Sequence, residues 1–278
     1  MSDLLQLMIA PFAACMVLVA MLSYLGVHII AREVIFVDLS LAQMAALGST
    51  SALLFDVAPD SPLGYGFALA FTTLGAFIFA MSRTSKAKRR VPQEAIIGIV
   101  FVVASAAGIL VADKAPKGAE AIKDILVGSI LWVTWPTILK MALVFVGLGA
   151  FHWFFRERFF TISLEEDKAE ESGWNVRWWD FLFYASFGVA ISLAVPVAGV
   201  LLVFSFLVVP AVVSFLFTRK VSLLLLMSWT AAAFASALGL TVSFQFDLPT
   251  GPLIVCVFGM VLLGAGVVRR VITERSTA

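Results

Sequence analysis

Long apolar runs, each closed by charged residues, recur from one end of this chain to the other. A transmembrane helix needs about 20 mostly apolar residues. Reading from charge to charge gives nine such segments, roughly 5–30, 34–55, 63–82, 94–112, 136–156, 178–195, 198–217, 221–244 and 251–268. A soluble domain is about 45–50% apolar and about 25% charged. Here 62% of 278 residues are hydrophobic and 13% charged, with mean hydropathy +1.04. A soluble fold of that composition lacks the polar surface to cover itself. The expected fold is therefore all-α, a polytopic transmembrane helix bundle of about nine spans, with eight as the alternative count, forming one membrane domain over 1–278. The first run lacks a basic leader and is too long for a signal h-region, so it reads as a retained span.

Basic residues sort the connections. Alternate ones hold Arg32; Arg83, Lys86, Lys88, Arg89 and Arg90; Arg156, Arg158, Lys168 and Arg177; Arg219 and Lys220; and Arg269, Arg270 and Arg275. The opposite set holds Lys114, Lys117 and Lys123. The positive-inside rule then places the N-terminus outside and the C-terminus in the cytoplasm. A net charge of +1 gives no field for nucleic acid. Cys15 and Cys256 lie in apolar segments and read as small core side chains.

Several enzyme chemistries have no sequence support. The chain has no GxxxxGK[ST] loop, no HExxH and no paired CxxC. His28 and His152 fall near cytoplasmic ends of spans and read as packed or interfacial. Transport is the class that remains, and polar groups inside spans become the candidates, because such groups usually face a bundle interior or a water-filled path. FVDLSLAQMAALG (36–48) carries Asp38 and Gln43. On a helix Asp38 shares a face with Ala42, Ala45 and Ser49, whereas Gln43 stands about 140° further round. Glu94 opens the fourth segment, where a helix N-terminus favours an acid, and Asp180 opens the sixth. The seventh segment carries Ser205 and an internal Pro210, expected to kink it, and Pro196 marks a short outer turn before it.

Two connecting stretches exceed what orientation requires. DILVGSILWVTW (124–135) is too short to span and reads as an interfacial or re-entrant helix. In the cytoplasmic stretch 158–178, SLEEDKAEESG reads as a short helix with Ser163 as N-cap, Glu166 completing a capping box and Gly173 as stop. It serves as a solvated loop or as a docking helix for a cytoplasmic partner.

These residues resemble the permease subunits of ABC-type metal-ion importers, the family that carries zinc, manganese or iron. EAIIGIVF (94–101), SLEEDKAEESGW (163–174), GVLLVFSFLVVPAVVSFLF (199–217) and DLPTGPLIV (247–255) carry the resemblance in order, and with the span pattern it covers nearly the whole chain. It implies a non-catalytic permease of a prokaryotic inner membrane. The expected partners are two copies of a separate ATPase that binds ATP, a second permease copy and an extracytoplasmic binding protein. It also implies a coupling helix, with Ser163, Glu165, Glu166, Asp167, Glu170, Glu171 and Gly173 facing the ATPase, and a metal path lined by Asp38, Gln43, Glu94 and Ser205, with Pro210 as a gating kink. One feature departs from the family: its second span carries an acid and then Ser-His before a Gly, and this chain has no His there. Gln43 or Ala42 takes the place, depending on where counting starts. A metal chelate or other small solute as cargo, or a secondary transporter with Asp38 as coupling group, are the competing readings.

Overall fold

A computed structural model describes residues 2–58, 61–83, 91–114 and 128–277. The basic loop beyond Arg83 and the start of DILVGSILWVTW lie outside them. Among the described residues ten α-helices follow in order: α1 Ser2–Arg32, α2 Val37–Leu53, α3 Pro62–Ser82, α4 Gln93–Lys114, α5 Trp135–Phe154, α6 Arg156–Leu164, α7 Glu166–Glu171, α8 Val176–Phe217, α9 Val221–Phe246 and α10 Thr250–Thr277. A 3₁₀ turn, Ile130–Trp132, precedes α5. No strand occurs among the described residues. This is the expected all-α fold. In hydrocarbon a backbone has no water to bond, so helices that satisfy their own N–H and C=O groups are the available spanning form.

Seven helices among the described residues are long and apolar enough to cross a membrane. The count of nine is approximate for two reasons. First, α2 has 17 residues, short of a full crossing at 1.5 Å per residue. Second, the sixth and seventh expected spans follow one another almost without a connection, as two helices joined at a kink and counted together as α8. The kink falls at Gly199, whose φ of 76° and ψ of 157° are open essentially to glycine alone. The break thus falls at Gly199 and not at Pro196, which continues the helix. Pro210 also lies within α8, and the non-helical dihedrals belong to Gly199. Large apolar side chains point outward, with Leu110 71%, Leu143 73% and Leu263 73% exposed. A soluble protein rarely presents such surface continuously; a lipid-facing helix does.

Two compact units divide the chain. The first comprises Met1–Ile30, Val127–Phe145 and Val197–Ala278. In it, Gly26 lies against the backbone of Leu207. Ser23 Oγ donates to the Phe206 carbonyl at 3.3 Å, and Trp229 Nε1 donates to that of Ala20 at 3.2 Å. The α9–α10 turn is tighter than the expected loop DLPTGP. Asp247 takes the left-handed conformation, Leu248 N–H bonds back to Ser243, and α10 begins at Thr250. The described part of the expected interfacial helix is instead a glycine-led turn. Gly128 abuts the backbone of Ala198 and Gly199, and Ser129 N–H donates to the Val197 carbonyl at 3.0 Å, next to the α8 break.

The second unit comprises Ala31–Leu126 and Val146–Pro196. Here α2 packs on α3 and α4. A Cβ on Gly48 would stand 2.6 Å from the Phe67 carbonyl oxygen, so this glycine lets α2 and α3 meet backbone to backbone. Ser61 caps α3, accepting from Gly64 N–H at 3.1 Å, with Pro62 at the first helical position.

Candidate functional site

The N-terminus of α2 gathers two acids. Its first N–H groups have no partner within the helix. Two carboxylates cover them. Glu94, at the first turn of α4, accepts the Phe36 N–H on Oε1 at 2.9 Å. The Asp38 carboxyl sits beside the backbone N–H groups of Leu39 and of Asp38 itself. Glu94 lies close enough for the two charges to repel. Asp38 is only 2% exposed, and its Oδ1 has no hydrogen-bond partner; neither has the buried Oε2 of Glu94. Each acid thus spends one oxygen on the helix end and keeps the other unused. An unpaired buried acceptor is costly, so a donor or a cation brought to this helix end is favoured.

Gln43 is half-buried on α2, on a different side from Asp38. Ala42 and Ala45, which share the Asp38 face, are buried at 1% and 5% exposure. Ser205 and Pro210 belong to the first unit. Ser205 Oγ donates to the Leu201 carbonyl at 2.9 Å, and the Pro210 carbonyl accepts from Ser228 Oγ at 3.2 Å. Among the described residues no group of three or more His, Cys, Asp or Glu is arranged to hold a metal ion. The Asp38–Glu94 pair offers hard oxygen donors only, which suit magnesium- and manganese-like ions better than thiophilic ones.

The cytoplasmic segment is built differently from the expectation. Ser163 is no N-cap: it lies inside α6, its hydroxyl bonding back to the Phe159 carbonyl at 2.8 Å. The chain breaks at Glu165 (φ −134°, ψ 60°), whose carbonyl accepts the first α7 bond, from Ala169. The N-cap position therefore falls two residues later than expected, because α6 extends through Leu164. Gly173, at φ 70°, stands just beyond α7 as expected of a stop. Glu165, Asp167 and Glu171 are exposed, and Glu165 pairs with Lys168 at 3.0 Å. The side chains of Glu166 and Glu170 lie outside the description.

Sequence reasoning missed the most strongly charged buried feature. Asp180 is fully buried, and its two oxygens accept from two arginines: Arg32 Nη1 at 2.6 Å and Arg83 Nη1 at 2.7 Å. Arg32 also donates from Nε to Ser163 Oγ at 2.8 Å and lies 4.0 Å over the Phe183 ring. His152 packs nearby, stacked on Phe159 and bonded to Ser186 Oγ at 2.8 Å. An acid within an apolar segment was the one signal for this cluster; its partners lie far off in sequence.

Known proteins match this chain along most of its length. The manganese transport system membrane protein MntC of Listeria innocua is 29% identical over 210 residues, covering 74% of this chain and 73% of its own. The manganese import system permease protein ScaB of Streptococcus gordonii is 26% identical, with 76% of each chain covered. Among solved structures, PsaBC from Streptococcus pneumoniae, determined in complex with Fab, superposes with a TM-score of 0.76 at 21% identity, covering 92% of this chain and 89% of its own. That likeness establishes the fold as that of its chain. The ABC 3 transport family model matches residues 4–269, and the chain belongs to that family.

Proposed function

We propose that the chain is the membrane-spanning subunit of an ATP-driven importer for a divalent metal ion, with manganese the preferred cargo. The observation that carries this is the Asp38–Glu94 pair, a buried and a half-buried carboxylate, each with an unused oxygen at one helix end. Carboxylate oxygens suit manganese, whereas the imidazole and thiolate donors that suit zinc are missing from this pair. The names of the manganese relatives support the same cargo. In this reading the whole chain works as one permease domain in a prokaryotic inner membrane, N-terminus outside and C-terminus in the cytoplasm. Two permease copies bind two copies of a separate ATPase, and a binding protein delivers the ion from outside. The stretch α6–α7 is the coupling segment, with Glu165, Asp167 and Glu171 toward the ATPase.

The permease and its ATPase, reconstituted in liposomes with the cognate binding protein, should take up radiolabelled manganese only when ATP is supplied. ATP-independent uptake driven by a proton gradient would replace this reading with a secondary transporter. Uptake of a chelated metal but not the free ion would replace the cargo.

A further inference from the structure

We propose that Arg32 is a positioning residue that relays movement of the cytoplasmic segment to the acid pair at the start of α2; the proposal rests on the ATP-driven reading above. Three contacts fix its guanidinium. Nε donates to Ser163 Oγ at 2.8 Å, Nη1 pairs with Asp180 at 2.6 Å, and the group lies over Phe183 at 4.0 Å. Ser163 is the residue before the end of α6, just ahead of the break at Glu165 from which α7 departs. Any force on α7 therefore reaches Ser163 through a short, hydrogen-bonded turn.

The other end of the relay is equally short. Arg32 closes α1, and α2 begins at Val37. Between them Glu33 takes a φ of 58°, uncommon for a residue other than glycine, and Val37 N–H bonds to the Val34 carbonyl at 3.3 Å. Phe36 N–H then meets Glu94 Oε1 at 2.9 Å. The connection is thus a tight turn pinned at both ends, by Asp180 and Ser163 on one side and by Glu94 on the other. A shift of the Arg32 backbone is delivered to Phe36, and so to one of the two oxygens Glu94 offers.

Of the contacts that fix Arg32, the one to Ser163 is made to a neutral hydroxyl and the one to Asp180 to a carboxylate. The Ser163 hydroxyl already donates to Phe159, so its bond with Arg32 is made and broken without orphaning that proton. Asp180 holds the far side of the guanidinium and, through Arg83, the end of α3.

The test uses the permease–ATPase complex in liposomes, with Cys15→Ser and Cys256→Ser as background and spin labels at Phe36→Cys and Val91→Cys, both exposed positions. Label distances are read without nucleotide and with the ATPase trapped by vanadate. Trapping should change the distance in the parent. Ser163→Ala should abolish most of that change and lower manganese uptake per ATP hydrolysed several-fold, and Ser163→Thr should restore both. A Ser163→Ala complex that switches like the parent overturns the relay. So does a parent distance that trapping leaves unchanged, or a Ser163→Thr variant as impaired as Ser163→Ala. Switching without any manganese uptake keeps the relay and overturns the cargo assignment instead.

Discussion

Glu94 closes the N-terminus of a helix that is not its own, accepting the Phe36 N–H ahead of α2 at 2.9 Å. It stands within repulsive reach of Asp38, which is buried in the first turn of the same helix. The two acids are brought together because α2 and α4 pack side by side. Their shared position puts two acids at one helix end.

Charge removal should separate site from scaffold. Glu94→Gln retains an amide oxygen for Phe36 N–H but loses the negative charge; Asp38→Asn does the same at the buried position. Each should lower manganese uptake by about tenfold, the equivalent of about 1.4 kcal/mol. Assembly with the ATPase, measured by co-purification, should be unchanged. Full uptake in both variants would remove the pair from the transport path.

The α2–α3 approach depends on Gly48. A Cβ there would stand 2.6 Å from the Phe67 carbonyl oxygen and 2.9 Å from Ala68 Cα, and both are backbone atoms that cannot swing away. Gly48→Ala should therefore cost about 1–3 kcal/mol, the usual penalty for overpacking. Gly98, on α4, has open space around its Cβ direction, and Gly98→Ala should be neutral or stabilising by up to about 1 kcal/mol. Thermal unfolding in detergent, read by fluorescence, compares the two.

How much of this was legible beforehand depends on the range of the interaction. Apolar runs and charge placement are local, and they located every long helix. Gly199 rather than Pro196 breaks α8 because a φ of 76° needs the absence of a Cβ, a requirement set partly by Gly128 packing against that backbone. Ser163 looked like an N-cap because serine suits one, yet α6 extends past it and the Arg32 contact occupies its hydroxyl. Asp38 and Glu94 each stood out alone; that they meet is a matter of tertiary packing. The Asp180 cluster was least legible, since its arginines lie 148 and 97 residues away and pattern reading treats each as an orientation charge.

Asp180 carries a testable stability consequence. Asp180→Ala leaves Arg32 and Arg83 buried without their shared counter-ion. Breaking a buried ion network this way typically costs about 3–5 kcal/mol, whereas replacing the whole network by apolar residues is often neutral. The triple variant Arg32→Met, Arg83→Met, Asp180→Leu should therefore recover most of the thermal stability lost by Asp180→Ala. Equal instability of the single and triple variants would mean that the charges, not their imbalance, hold this part of the second unit together.

The absence of histidine from α2 can be probed from the opposite direction. Gln43 stands five residues beyond Asp38, about 140° round a regular helix, and it is only half-buried. An imidazole at 43 would not share the Asp38 face. Ala42, four residues on, does share it, but it is 1% exposed with no room for a ring. Gln43→His should thus leave the preference for manganese over zinc within about threefold, well under the factor of ten that about 1.4 kcal/mol supplies. Gln43→Ala should likewise retain most of the uptake. Competition of unlabelled zinc against radiolabelled manganese in the reconstituted complex measures both. A strong swing toward zinc in Gln43→His would mean that α2 turns or unwinds during transport to bring position 43 beside Asp38, because the regular helix keeps them apart.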